Sequence, residues 1–238
     1  MDKFFPKSCK IASKPHLFCP GCGHASILKQ LGAAIDEMGI QEKMALGIDI
    51  GCSLLAWDFF DVDTVQTHHG RTASVMAGYK MARPERIAVA YMGEGGAYAI
   101  GLQSLLHIAL RNEPITVVVV NNANYAMTGG QMSPTTPLGA ITAFSPRGKE
   151  EIGGTGLKGP ELLGRVAAKN AWIGRASTEN LLQMKNMLKK ALANQMENKS
   201  FSFLEILSAC PVNWKTDATD SFKRLKDMQK DYPLGEIK

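Results

Sequence analysis

The sequence predicts an α/β protein: a parallel β-sheet with helices on both faces. Apolar runs of strand length, such as Ile87 to Met92 and Ile115 to Val120, alternate with helix-like segments, as in successive strand–helix–strand crossovers. Two of these runs lead into Gly93-Glu94-Gly95 and Asn121-Asn122. In an open parallel sheet such strand ends share one edge, where ligands bind. The 238 residues are enough for one large domain with a buried core. No internal repeat or low-complexity linker divides them, so residues 1–238 are expected to form a single domain with an arm at 1–18 and a long loop at 122–159.

Each element has its own signal. After the arm, the Pro20-Gly21 turn introduces a helix from His24 to Met38. Met44 to Ile50 is a short apolar strand ending in the small-residue turn Gly51-Cys52-Ser53. Thr64 to Thr67 is read as a strand, leading through His69-Gly70-Arg71 into a helix from Thr72 to Met81, with Pro84 as a stop beyond it. The strand Ile87 to Met92, the helix Ile100 to Arg111 and the strand Ile115 to Val120 follow. Residues 122–159 are rich in Gly, Thr and Pro and have no period; structureless loops of this length are uncommon and often functional. The remaining expectations are a helix from Glu161 to Ala171, a strand from Trp172 to Arg175 and a helix from Leu181 to Gln195. A strand from Phe201 to Leu207 then runs into Ser208-Ala209-Cys210-Pro211, and a charged helix from Ser221 to Lys230 closes the chain.

Composition is that of an ordinary globular protein, 45% hydrophobic and 21% charged, with a net charge of +5. Much of the basic excess sits on expected helix faces, as at Lys185, Lys189 and Lys190. No basic residues interleave with aromatics, which argues against a nucleic-acid partner; an acidic protein partner stays open. No apolar run is long enough to cross a bilayer, and Met1-Asp2-Lys3-Phe4-Phe5-Pro6 lacks an extended apolar signal region. A cytoplasmic protein is expected.

The strand-end residues suggest chemistry. A carboxylate at Glu94 and a carboxamide at Asn122, brought to one sheet edge, suit a hard cation such as magnesium, which prefers oxygen ligands shared with a phosphate. The reading is a diphosphate cofactor held through a metal. Five cysteines, Cys9, Cys19, Cys22, Cys52 and Cys210, add a second theme. In a reducing compartment they are more often metal ligands than disulfides. Cys19-Pro20-Gly21-Cys22 is a Cys-x-x-Cys pair, consistent with a redox dithiol, half a zinc site or half an iron–sulfur site. The residues before it make a poor strand, which weakens the dithiol reading. Cys52 and Cys210 follow expected parallel strands and so emerge at the cofactor edge. Four thiolates can close a 4Fe–4S cage or hold a structural zinc, and unrelated buried thiols stay open as well. Cys9, in the arm, is read as unligated.

Taken together, the motifs resemble the beta subunit of 2-oxoacid:ferredoxin oxidoreductases. The matching pieces are CPGCGH at Cys19 to His24, IGCS at Ile50 to Ser53 and HGR at His69 to Arg71. They continue with GEG at Gly93 to Gly95, NNANYAMTGGQMSPTTP at Asn121 to Pro137, and Cys210-Pro211. The resemblance implies a thiamine-diphosphate-binding fold and places a 4Fe–4S cluster on Cys19, Cys22, Cys52 and Cys210. It implies cofactor contacts at Ile50, Gly51, Cys52, Ser53, His69, Gly95, Gly96, Ala126 and Met127, and magnesium on Glu94, the Asn122 side chain and the Asn124 backbone carbonyl. Small residues let backbone amides approach a diphosphate, and Met127 can prop the bent cofactor. The sequence departs from the family where Glu94 replaces the usual Asp, where Gly96 replaces a frequent second Asp, and at Gln66 and Leu55.

The implied activity is oxidative decarboxylation of a 2-oxoacid to an acyl-coenzyme A and carbon dioxide, with electrons passed singly through the cluster to ferredoxin. The apolar stretch Leu54 to Trp57, Gln66 and the NNANYAMTGGQM wording look most like 2-oxoisovalerate members. No catalytic base is assigned within this chain, because the glutamate serving the cofactor's pyrimidine end is implied on a partner alpha subunit; gamma and delta subunits are further expected partners. The rival readings are a non-redox thiamine-dependent decarboxylase or synthase and a zinc-stabilised scaffold. His68 and His69 are adjacent and so point apart if extended; His69 is expected to face the cofactor and His68 to be structural. Met127 and Met132 have a bland reading as core, and Gly129-Gly130 as an ordinary turn. His16, His24 and His107 belong to no constellation.

Overall fold

A computed structural model of the chain describes residues 5–10 and 16–238, so the expected arm lies partly outside the described residues. Helix α1 (Gly23–Met38) stops at Gly39, whose φ of 64° lets its N–H reach back to the carbonyls of Asp36 and Ile35. There follow β1 (Met44–Ile48), β2 (Asp63–Gln66), α2 (Thr72–Ala82), β3 (Ile87–Gly93), a π-helical turn (Gly96–Ile100), α3 (Leu102–Leu110) and β4 (Thr116–Asn121). Beyond the long loop come α4 (Gly159–Val166), β5 (Trp172–Ser177), α5 (Leu181–Glu197), β6 (Ser202–Leu207), α6 (Pro211–Trp214), α7 (Ala218–Asp231) and β7 (Gly235–Glu236).

The strands form one sheet in the order β2-β1-β3-β4-β6-β5-β7. All neighbours are parallel except β5 and β7. The predicted α/β class is therefore what the chain adopts. Register aligns the strand ends: Ile48 lies opposite Gln66 and Tyr91, Gly93 opposite Val120, and Asn121 opposite Leu207.

The period-two alternation of buried strands divides the core between two faces. Ile87, Val89 and Tyr91 of β3 pack with Ile27, Leu28 and Leu31 of α1 and Leu188 and Leu192 of α5. Ala88, Ala90 and Met92 pack on the other face with Met76 of α2, Leu105 and Ile108 of α3 and Leu163 of α4. Each such fully buried aliphatic side chain contributes roughly 1.5–3 kcal/mol. A third cluster, with Trp214, Leu225 and Met228, caps the sheet edge beside Cys210. Among the described residues no helix is long and apolar enough to cross a membrane.

Several elements differ from expectation for identifiable reasons. The segment after β3 turns helical at Glu94 rather than Ile100 and is π-helical from Gly96, and it wraps tightly on the Gly70 turn: a Cβ on Gly101 would lie 2.3 Å from the Gly96 carbonyl and 2.7 Å from that of Gly70. Strand β1 ends two residues early, where Asp49 begins to turn the chain out of the ladder. Helix α4 ends at Val166 rather than Ala171, since the chain needs the intervening residues to turn back into β5. Strand β5 continues past Arg175 because that buried guanidinium is fully paired. Helix α7 starts earlier than expected, capped by Asp217 accepting from the Asp220 N–H at 2.8 Å. It does not close the chain: β7 follows, and its two residues are too few to show periodicity. The loop after β4 ends at 158, as Gly159 already opens α4.

Candidate functional site

Strand order reverses direction between β1 and β3, since β2 lies on one side of β1 and the later strands lie beyond β3. A cavity of about 690 Å³, part of it open to solvent, sits at this switch point. Ile50, Gly51, Cys52 and Ser53 reach it from the turn after β1, and His69 from the turn after β2. Gly95 and Gly96 come from the end of β3, and Ala126 and Met127 from the loop after β4. The nine residues expected to touch a cofactor thus line one cavity.

The metal candidates meet on its floor. Glu94 is buried, and its Oε1 accepts the Asn124 N–H at 2.9 Å. That N–H also reaches Asn122 Oδ1 at 3.3 Å, while Asn124 Nδ2 donates to the Asn122 carbonyl at 2.9 Å. Burial pushes the Glu94 carboxyl up to about 8. Asn124 Oδ1 is buried without a partner. An acid held against ionisation beside an orphaned amide oxygen fits a hard divalent cation.

Among the described residues, the buried side-chain N and O atoms without a hydrogen-bond partner are Asp49 Oδ2, Ser53 Oγ, His69 Nδ1 and Asn124 Oδ1. All four belong to this one site. Buried polar groups normally find partners, so a polar ligand is the fitting occupant. Asp49 was missed in the sequence; its only signal was an acid inside an otherwise apolar strand run. It is wholly buried, and its Oδ1 accepts from the Gly70 N–H at 2.7 Å and Thr72 Oγ1 at 3.1 Å. Burial raises the Asp49 carboxyl.

The four cysteines named for a cluster lie near enough to influence one another electrostatically. Burial pushes the Cys52 thiol up to about 12, and the nearby Cys22, Cys210 and Cys19 oppose its ionisation further. Cys22 is pushed up to about 11 by burial, with Cys210 and Cys19 again contributing. The CxxC turn docks on the β6–α6 connection: the Gly23 N–H donates to the Ala209 carbonyl at 3.3 Å. Asn213 Nδ2 approaches Cys210 Sγ at 3.6 Å and donates to the Ala126 carbonyl at 2.9 Å, tying the cysteine group to the cavity wall. Among the described residues no three His, Cys, Asp or Glu side chains stand grouped as a metal site. Cys9 instead packs in the core, and a Cβ on Gly32 of α1 would lie 2.6 Å from its Sγ.

His24, given no role from sequence, lines the cavity; its Nδ1 lies 2.6 Å from Tyr91 Oη, and burial lowers it to about 4, so it is neutral. Tyr125 also lines the cavity, its ring close over Gly95. His68 is exposed rather than structural, because the chain has already left β2 there. Met127 is 51% exposed, which removes its bland reading as core. Leu55 packs against the core instead of the cavity and Trp57 is exposed, because residues 52–56 coil into a 3-10 turn.

Residues 49–206 match the family described as thiamine pyrophosphate enzyme, C-terminal TPP binding domain. The chain is 37% identical to the ketoisovalerate oxidoreductase subunit VorA of Methanothermobacter thermautotrophicus, across 100% of this chain and 50% of that protein. It is 34% identical to the 2-oxoglutarate synthase subunit KorB of Archaeoglobus fulgidus, across 90% of this chain and 76% of that one. Its fold is similar to that of a 2-oxoglutarate:ferredoxin oxidoreductase from Magnetococcus marinus solved with 2-oxoglutarate, coenzyme A and succinyl-CoA bound. There the TM-score is 0.81 and the identity 30%, over 94% of this chain and 74% of the other. The chain spans about half the length of the VorA relatives.

Proposed function

Because this chain belongs to the thiamine-pyrophosphate-binding subunits of the 2-oxoacid:ferredoxin oxidoreductase family, we propose that it is the beta-type subunit of such an enzyme. It acts as one thiamine-diphosphate-binding domain in a cytoplasmic hetero-oligomer, catalysing oxidative decarboxylation of a 2-oxoacid to acyl-coenzyme A, with electrons leaving to ferredoxin. The observation that carries this reading is the position of Cys52. It lines the cavity and is also close enough to Cys19, Cys22 and Cys210 to feel their charge, so a cofactor and a redox cluster on these thiols would be neighbours.

Each side chain has a role in this reading. Glu94, Asn122 and Asn124 would hold magnesium, and the amides of Gly95 and Gly96, which carry no side chains of their own, would meet the diphosphate. Cys19, Cys22, Cys52 and Cys210 would hold a 4Fe–4S cluster, for which four thiolates are the right donor set. When bound, thiamine diphosphate supplies the carbanion chemistry that decarboxylation needs, while the protein binds, orients and excludes water. The lining is apolar at Ile50, Val120, Ala126 and Met127, which suits a branched aliphatic chain. We therefore favour 2-oxoisovalerate over 2-oxoglutarate.

Anaerobic purification followed by iron, sulfide and zinc analysis, with titration by thiamine diphosphate, tests the proposal. Iron with sulfide and saturable cofactor binding are expected. Zinc with no cofactor binding would support the scaffold reading, and cofactor binding without metal at the cysteines would support the non-redox synthase.

A further inference from the structure

Asp49 sits immediately after β1, wholly buried beneath the cavity. Its carboxylate is locked on one side: Oδ1 accepts from the Gly70 N–H and from Thr72 Oγ1, and Thr72 Oγ1 lies 2.7 Å from Thr67 Oγ1. The Ile50 N–H also approaches the carboxylate, and Oδ2 lies 3.3 Å from His69 Nδ1. Neither of these two atoms makes a hydrogen bond of good geometry. A buried carboxylate oxygen and a buried ring nitrogen left so close yet unjoined are costly, and catalytic hydrogen bonds are often long until ligand arrives. The same oxygen controls the cavity wall: a Cβ on Gly96 would fall 1.8 Å from Asp49 Oδ2 and 3.4 Å from His69 Cε1. Asp49 thus fills the space that the family's frequent second acid at position 96 would need.

We propose that Asp49 is a positioning residue that holds His69 by Nδ1, so that Nε2 across the ring donates an N–H to a phosphate oxygen of the diphosphate cofactor. The proposal rests on the thiamine diphosphate reading given above. Both neighbours of the bridging ring, a carboxylate and a phosphate, are acceptors only, so the ring donates from both nitrogens in the bound state. An imidazole oriented by a carboxylate on its far nitrogen is a recurrent way to fix a ring for work on the near one. Asp49 also requires glycine at 96, leaving the peptide there bare toward the same phosphates.

The test is Asp49→Asn in the full chain, beside His69→Gln, with magnesium thiamine diphosphate as the probe. Asparagine keeps the shape and an oxygen for Gly70 and Thr72, but turns an N–H donor toward Nδ1, so the ring loses its second proton and the N–H it offers the phosphate is no longer charge-assisted. Cofactor affinity is expected to fall by about 10–100-fold, the usual effect of removing an orienting partner of this kind. The double variant should fall no further than His69→Gln alone, since the two act as a unit. Nitrogen NMR of wild type with the probe should show one histidine, missing in His69→Gln, carrying protons on both nitrogens, and Asp49→Asn should abolish that state. If Asp49→Asn does not fold, His69→Gln and the wild-type NMR signal decide. Unchanged affinity in His69→Gln, or no doubly protonated His69 in the loaded wild type, overturns the proposal while leaving the cofactor reading intact. A wild-type chain that binds no thiamine diphosphate overturns both.

Discussion

Burial of Glu94 gives the proposed magnesium site a pH dependence. It raises the carboxyl's folded pKa to about 8 from the ordinary 4.5, so the cation-free fold retains a proton that the unfolded chain has lost. Stability of the cation-free chain should therefore fall as pH climbs from about 4.5 through about 8. Magnesium has to displace that proton. Calorimetry should show proton release on magnesium binding at pH 6.5 that vanishes above pH 8.5, and a larger magnesium-induced rise in Tm at the higher pH. In Glu94→Gln both pH dependences should disappear; their persistence would place the cation elsewhere. The thiols give a sharper result. Cys52→Ala should strip iron and the brown chromophore, while Cys9→Ala, altering a residue packed against Gly32 and Phe60, should keep both. Full iron content in the Cys52 variant would sink the cluster assignment.

At the scale of elements, a buried polar network couples the far strands to the loop after β4. Arg175 of β5 donates through Nε to Glu205 of β6 at 2.5 Å and through Nη1 and Nη2 to Glu161 of α4 at 2.8 and 2.6 Å. It also reaches the Pro233 carbonyl at 3.1 Å, beside β7. Glu205 Oε2 accepts from Tyr98 Oη at 2.7 Å and from Asn121 Nδ2 at 3.2 Å. Asn121 Oδ1 in turn accepts the Ala123 N–H and Thr135 Oγ1, so the network fixes the loop that carries Asn122 and Asn124. Arg175→Met leaves Glu205 buried without its cation. It should cost about 3–5 kcal/mol of stability, read by urea unfolding, and should weaken magnesium-dependent cofactor binding as the Asn121 anchor loosens. An Arg175→Met variant as stable as wild type would show that the network does not hold these elements together.

For the whole molecule, the proposed reading places the base for the cofactor's pyrimidine end on a partner subunit. The long loop folds on itself through Thr136 Oγ1 to the Ala123 carbonyl and Lys149 Nζ to the Thr136 carbonyl, both at 2.8 Å, yet presents Ile141, Phe144 and Ile152 outward, Ile152 at 98% exposure. Apolar groups of this kind often mark protein contacts. The purified chain, loaded with cofactor, magnesium and cluster, is expected not to decarboxylate any 2-oxoacid. Adding an alpha-type partner should restore turnover and slow proteolysis between 122 and 158. Robust turnover by the isolated chain would reveal a base within it.

The sequence by itself determined the α/β class, the residues that meet at one sheet edge and the family, because apolar periodicity and strand-end motifs are local and a parallel sheet brings consecutive strand ends together. Glu94 and Asn122 were legible on that ground, and the nine expected cofactor contacts through the family resemblance that the motifs carry. Only the tertiary structure decided which polar residues beneath that edge are coupled. Asp49 reads as an isolated acid until the β1 and β2 turns set it against His69 at 3.3 Å and Gly96 yields the space. Arg175 reads as the end of a strand until Glu205 and Glu161 neutralise it. His24 joins the cavity wall only when α1 packs against Tyr91. A side chain's burial and partners depend on elements far away in the chain, and no local pattern carries that information.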